Sequence, residues 1–283
     1  MGENYFDDVT IAGLTANHQN VISLTSAQGF SSLGSDSLMG MGFQSIAQSK
    51  QSPYWMTLYK QGKLNPSEFS FYLGRAKSNT QGNSEMTLAG RDSSRYTGSF
   101  TNIPVTKQGY WQVAVDGLSV GSGSAVLGSM GQAAMDTGTT LILAPTAAVA
   151  SLITQIPGAL PLPLGADMTA IAYPCGSKPK VNLGFAGKKF VINDQDFKLQ
   201  SLTSNLATQM GSDPLTSILN KLLGGLLGGG SGSDGGYCIA SVVGADLSPT
   251  QNLYVVGDAF LKNWYSTFHY DGKNAYVGLA KSV

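Results

Sequence analysis

Ala133-Ala134-Met135-Asp136-Thr137-Gly138-Thr139-Thr140-Leu141-Ile142-Leu143 sets one carboxylate between apolar flanks and follows it with a Thr, a Gly and two more Thr. A lone carboxylate that leaves water is costly unless hydrogen bonds hold it. The hydroxyls of Thr137, Thr139 and Thr140 are the candidate donors. Gly138 allows a tight turn and close backbone approach. The apolar flanks predict two buried strands on either side of that turn.

The composition around this stretch points to strands. The chain has 283 residues, enough for a large core and for two domains. It is 42% hydrophobic and 12% charged, well below the usual charged share of about a quarter. Of the acidic residues only Glu3, Glu68 and Glu85 are Glu. Such a chain is poor in long helices and rich in turns, which predicts an all-β protein. Formal net charge is zero, so nothing argues for nucleic acid or an anionic membrane surface as partner. No apolar run is long enough for a membrane span. Residues 1–8 have neither the basic flank nor the apolar stretch of a signal peptide. There is no metal-ligand cluster and no phosphate loop, so neither metal nor cofactor is expected. His18 and His269 lack a Ser or Cys constellation and read as surface or turn residues. Cys175 and Cys238 allow either one disulfide or two buried thiols; closing a loop of that size is worth about 4 kcal/mol in the chain-entropy model.

Taken in order, Val9–Leu14 reads as a strand and hairpin ending in a Gly turn, Asn20–Leu24 as another, Gln28–Ser37 as a Gly/Ser loop, and Leu38–Phe43 as a buried strand close to another backbone. Pro53–Gln61 suits a short helix ended by Gly62. Phe69–Leu73, Met86–Gly90, Gly109–Val115, Leu118–Val120 and Ala125–Leu127 read as short strands. After the Asp136 loop, Pro145–Ile156 predicts an amphipathic helix that starts at a Pro. Val181–Phe185 and Lys189–Ile192 predict a hairpin. Residues 199–236 break the pattern: Leu215, Ile218, Leu219, Leu222, Leu223, Leu226 and Leu227 keep helical spacing after Asp213 and Pro214, and a Gly/Ser tract follows. Leu253–Asp258 reads as a buried strand, Ala259–Tyr265 as a helical turn, and Tyr265–Tyr270 with Ala275–Leu279 as a hairpin.

These pieces, in this order, resemble the pepsin-like aspartic peptidases of the fungal secreted type. Asp136-Thr137-Gly138-Thr139-Thr140 is similar to the catalytic loop of the family's C-terminal lobe. Asp36-Ser37-Leu38-Met39-Gly40-Met41-Gly42-Phe43 resembles Asp-Gly-Ile-Leu-Gly-Leu-Gly-Phe, with Ser37 where Gly is usual. Phe69–Leu73 matches Phe-Ser-Phe-Tyr-Leu. Met86–Gly98 resembles Leu-Thr-Leu-Gly-Gly-x-Asp followed by Tyr-x-Gly, with Ala89 for the first Gly. Pro104–Trp111 resembles the entry to the C-terminal lobe. Val255–Leu261 resembles the hydrophobic-hydrophobic-Gly partner strand of the catalytic loop. Tyr5–Leu14 resembles the strand leaving the flap. The resemblance covers nearly the whole chain except residues 199–236.

The resemblance implies an all-β, bilobal pepsin-like β-barrel fold. The C-terminal lobe spans residues 105–283 and carries a Leu/Gly-rich insert at 199–236. An incomplete N-terminal lobe spans residues 1–104. It implies Asp136 as a catalytic aspartate supported by Thr137, Gly138, Thr139 and Thr140, substrate contacts at Leu38, Tyr110 and Val255, a Cys175–Cys238 disulfide, protein or peptide substrates, and an extracellular or vacuolar location. The mechanism it implies needs two aspartates that share one proton. Leu38-Met39-Gly40 and Val255-Val256-Gly257 are two partner strands, but no Asp other than Asp136 is followed by Thr-Gly or Ser-Gly. The missing loop and flap are expected before residue 1. The isolated chain is then a weak peptidase or none, completed by an N-terminal fragment or a second copy. The alternative is a non-catalytic remnant that binds peptides or a partner. An incomplete lobe is also expected to expose Leu38–Phe43 and Phe69–Leu73.

Overall fold

The structure is a computed structural model that describes residues 2–26, 37–75, 83–126, 129–165, 167–201 and 236–283. The expected Leu-rich helix of residues 215–227, Asp36 of the Leu38 motif and nearly all of the 28–37 loop fall outside these residues. The chain divides into two compact units. One comprises Met1–Gly74, Thr80–Val113 and Trp264–Val283; the other comprises Arg75–Asn79 and Ala114–Asn263. The predicted all-β architecture holds in both.

The first unit opens with a hairpin, β1 (Gly2–Ile11) and β2 (Leu14–Leu24), paired from Gly2↔Leu24 to Ile11↔Leu14. Ala12 and Gly13 turn it at φ 49° and 80°, the left-handed pair that matches the strands' twist. Helix α1 (Tyr54–Lys60) follows Pro53, and Gly62 ends it at φ 69°. Strands β3 (Glu68–Tyr72), β4 (Glu85–Leu88) and β5 (Tyr96–Lys107) come next.

Three expectations need correction here. Residues 38–43 form no strand, and Leu38 is 71% exposed. Phe43 alone turns inward: its N–H donates to Gly109 O (2.9 Å), and its ring meets Trp55 and Trp111. The close backbone approach that the glycines suggested is nevertheless there, since a Cβ at Gly42 would come within 3.2 Å of Gly109 O. Phe69 is the reverse case, only 1% exposed, because Trp55, Trp111 and Phe268 surround it. The alternating run 109–115 is a strand only as β6 (Gln112–Val115); Trp111 turns at φ 52° to put its indole N–H on Met41 O, 2.8 Å away.

The second unit holds β7 (Gly117–Val120), β8 (Gly131–Met135), β9 (Ile142–Ala144), α2 (Thr146–Gln155), β10 (Leu160–Pro163) and β11 (Met168–Pro174). It continues with β12 (Val181–Phe185), β13 (Lys188–Val191), α3 (Asp194–Phe197), β14 (Lys198–Ser201), β15 (Tyr237–Ala245), β16 (Leu253–Val256) and α4 (Asp258–Leu261). Residues 125 and 126, expected in a strand, are irregular. Leu199, expected to start the insert, belongs to β14, which pairs with β15. The main sheet of this unit runs β10-β11-β15-β9-β16-β8, and a smaller one runs β13-β12-β7. Leu141, Leu162, Ala170, Ile239 and Val243 pack as one buried cluster.

The chain then returns to the first unit with β17 (Trp264–Tyr270) and β18 (Ala275–Ser282). They complete an antiparallel order β4-β3-β17-β18-β5. Glu68 on β3 is buried there. Its carboxylate takes both Nε and Nη2 of Arg91 (3.0 and 2.7 Å), while Thr267 donates from β17 at 3.3 Å. His269 lies in β17, the strand expected over Tyr265–Tyr270; read as a surface or turn residue, it is half-buried, with Nδ1 at 3.9 Å from that carboxylate and its ring on Tyr276. His18 is the exposed turn-like residue anticipated, at φ 52° and stacked on Phe6.

Candidate active site

The site is built around β16. This strand runs parallel to β8 (Val255↔Ala134, Val256↔Met135) and antiparallel to β9 (Val255↔Leu143, Val256↔Ile142). The loop of residues 136–141 joins β8 to β9 and therefore crosses the C-terminal end of the strand between them. The small residues Ala133 and Ala134 are buried and let the strands close up. The loop is fastened to the chain leaving β16 by a ladder. Asp136 N–H donates to Val256 O (3.0 Å), Gly257 N–H to Leu141 O (3.1 Å), Asp258 N–H to Thr139 O (2.8 Å) and Ala259 N–H to Thr140 O (3.0 Å).

Asp136 is half-buried at this crossing. Its Oδ1 accepts the Gly138 N–H (2.9 Å) and its Oδ2 accepts the Thr139 hydroxyl (2.6 Å). The loop thus fixes both carboxylate oxygens: of the three hydroxyls expected as donors, that of Thr139 makes the bond, and the other donor is the backbone N–H of Gly138; charge-assisted bonds of this kind are the strong ones. Thr137 is half-buried and Thr140 exposed. Val255 is half-buried in β16, its backbone held by both neighbouring strands. Leu38 and Tyr110 belong to the first unit, and Tyr110 is 61% exposed. Cys175 and Cys238 are disulfide-bonded across 63 residues, with Cα atoms 5.0 Å apart. Among the described residues there is no group of His, Cys, Asp and Glu that could hold a metal ion.

Asp258, the last residue of the strand expected over Leu253–Asp258, carries clear electrostatic weight. Asp258 starts α4 two residues beyond Val256, and burial pushes its carboxyl up to about 6. The carboxylates of Asp136 and Asp196 add to that rise, and the Lys262 ammonium opposes it. The signal was in the sequence: an acid set between Val255-Val256-Gly257 and Ala259-Phe260-Leu261, the pattern that singled out Asp136.

The model of the eukaryotic aspartyl protease family matches residues 1–214. The chain belongs to the eukaryotic aspartyl protease family. It is 36% identical over 286 residues to an aspartic protease of Phaffia rhodozyma, covering all of this chain and 60% of that protein. It is 32% identical to vacuolar protease A of Aspergillus fumigatus, over 87% of this chain and 52% of the relative. It is 32% identical to cathepsin E of Rattus norvegicus, over 98% and 62% respectively. The chain thus spans about 60% of the length of the curated relatives it matches. The pepsin-like, all-β fold expected from the motifs is the fold of this family.

A single carboxylate held in this way can accept a proton from a water molecule. It cannot at the same moment donate one to the carbonyl under attack. An aspartyl protease needs two carboxylates in contact, so that repulsion keeps one protonated, and the chain has one Asp-Thr-Gly loop.

Proposed function

We propose that this chain supplies the Asp136 half of an acid-active aspartic endopeptidase site that cuts between apolar residues. The observation that carries this reading is the clamping of Asp136 by Gly138 N–H and the Thr139 hydroxyl on a loop laced to the end of β16. Such a clamp orients a carboxylate toward a water instead of burying it in a salt bridge. Thr137 and Thr140 shape the loop, and Leu38, Tyr110 and Val255 contribute to substrate pockets. In this reading residues 1–104 are part of an N-terminal lobe and residues 105–283 the C-terminal lobe. The second carboxylate comes from another segment, either a further stretch of a longer protein or a second chain. By itself the chain hydrolyses peptides weakly or not at all. The vacuolar protease A and cathepsin names among its relatives favour a vacuolar or extracellular setting.

The test is hydrolysis of a denatured protein between about pH 3 and 6, the range in which a carboxylate pair titrates. It compares the chain alone, the chain supplemented with the segment carrying a second Asp-Thr-Gly or Asp-Ser-Gly loop, and each with Asp136→Asn. Activity that needs the supplement and disappears with Asp136→Asn supports the proposal. Activity indifferent to Asp136→Asn rejects it. The second reading, a non-catalytic peptide-binding remnant, is favoured by the single loop in this sequence. It predicts peptide binding with no turnover in any combination.

A further inference from the structure

Proton transfer at Asp136 leaves the Asp258 carboxyl unused. Its Oδ1 is closed off from solvent and has no hydrogen-bond partner among the described residues. The residue as a whole is half-buried, and ionisation is costly because nothing replaces the water that Oδ1 loses. The charged groups facing it come from three elements. Asp136 lies on the loop after β8, Asp196 on α3, and Lys262 just beyond α4. Asp196 is itself paired with Arg75 at 2.8 Å. Two of the three surrounding charges are negative, so the neutral acid is the form that fits.

The backbone beside this carboxyl connects directly to the catalytic loop. Asp258 N–H holds Thr139 O at 2.8 Å, and the hydroxyl of the same Thr139 holds Asp136 Oδ2 at 2.6 Å. One residue, Thr139, separates the two carboxyl groups along this path. We infer that Asp258 is a positioning residue for Asp136 that works only as the neutral acid: with its Oδ1 shut off from solvent, it leaves Thr139 seated on Asp136, and loss of its proton places a second negative charge there and loosens that contact.

Burial sets where the change falls. The carboxyl is raised to about 6 from an ordinary value of 3.8. A carboxyl raised on folding favours the folded chain at low pH. Its contribution is fully present below about 4, declines as pH rises through about 6, and does not change further above that. The device therefore keeps the loop tight in acid and slack toward neutrality. Its consequence for hydrolysis rests on the reading of Asp136 as a catalytic carboxylate; the coupling itself does not.

The experiment follows the amide resonances of Gly138 and Thr139 in the full chain from pH 4.5 to 7.5, with Leu183 in β12 as a remote control. Melting temperatures are taken in the same buffers, and the native chain is compared with Asp258→Asn. Both loop amides are expected to shift with an inflection near pH 6, the melting temperature to fall across it, and both effects to vanish in Asp258→Asn while Leu183 stays put. If Asp258→Asn does not fold, the native chain still decides: the Asp258 side-chain carbon, 13C-labelled, should titrate together with the two loop amides. An inflection that survives Asp258→Asn overturns the inference, as does an Asp258 carbon that titrates without the loop amides following. Because neither readout needs turnover, a chain that shows the inflection but gains no activity from a supplied second loop refutes the peptidase reading and leaves the coupling intact.

Discussion

Gly257 lies against Thr139 so closely that a Cβ at residue 257 would occupy the space of the Thr139 carbonyl oxygen and crowd that of Leu141. The glycine is what allows the chain leaving β16 to pass directly beneath the Asp136 loop and donate its N–H to Leu141 O. Gly257→Ala must therefore lift the loop or shift β16, and overpacking of this kind costs about 1–3 kcal/mol. Gly40→Ala is the control, since nothing lies within 4 Å of a Cβ there. Urea unfolding should give a lower midpoint for Gly257→Ala alone. Equal midpoints would mean that the loop yields freely and that the ladder does not set its position.

Thr139 and Thr140 are neighbours of the same type with unequal duties. The Thr139 hydroxyl is committed to Asp136 Oδ2 at 2.6 Å, and Thr140 is exposed. A hydrogen bond to a charged group contributes about 1.5–3 kcal/mol when buried, and less at a half-exposed site such as this. Thr139→Val should cost about 1 kcal/mol and, in a completed enzyme, lower kcat more than it raises KM. Thr140→Val should leave stability within about 0.5 kcal/mol. Indistinguishable variants would remove Thr139 from the support of the carboxylate.

How much of this was legible in the sequence depends on what each residue answers to. The Asp136 loop, the hairpin over Val181–Val191 and helix α2 follow from local rules: a turn glycine, alternation, a Pro at the first turn. The Cys175–Cys238 bond could not be decided from spacing and came from family resemblance. Leu38–Phe43 and Phe69–Leu73 look alike as apolar runs, yet one begins in solvent and the other is core. What separates them is long-range: Phe69 meets Phe268, some 200 positions on, and no described strand pairs with residues 38–43. The apolar flanks of Asp258 signal its burial locally, but its place beside Asp136 is long-range and no local window reveals it.

The disulfide joins residues 63 apart, with Cys238 fully buried in β15. Loop-closure entropy puts its value at about 4 kcal/mol. Cys175→Ser with Cys238→Ser should lower the melting temperature substantially, and a reductant should bring the native chain down to the same value. A native chain whose melt ignores reductant, in a sample with the thiols shown to be free, would mean that β11 and β15 hold without the bond.

Glu68 and Arg91 form a two-pronged pair whose side chains are 8% and 24% exposed. Removing one partner of a fully buried pair costs about 3–5 kcal/mol; the partial exposure of Arg91 lowers this to about 2–3 kcal/mol for Glu68→Gln. Arg91 also stacks over Phe100 at 4.3 Å, so the combined Glu68→Gln, Arg91→Met variant retains part of that packing and should lose less than the two single losses added together. A double-mutant cycle by denaturant unfolding measures the difference. Strict additivity would show that the two ions do not interact.

The β1–β2 hairpin is a two-stranded sheet with Tyr5, Phe6, Val21, Ile22 and Leu24 all more than 40% exposed. Two strands alone are marginal in water, and an apolar strand with an open edge is a template for pairing between chains. Glu3, Asp7 and Asp8 on β1 place negative charge along one strand, whereas β2 carries no acidic residue and offers the less protected surface. Association between copies should therefore run through β2. Val21→Lys with Ile22→Lys should raise the concentration at which the chain stays monomeric in sedimentation, with the melting temperature unchanged, because neither side chain is buried. Substituting Tyr5 and Phe6 on the acidic strand should do less. If the β2 substitutions leave the sedimentation profile as it was, the exposed hairpin face is not what draws the copies together.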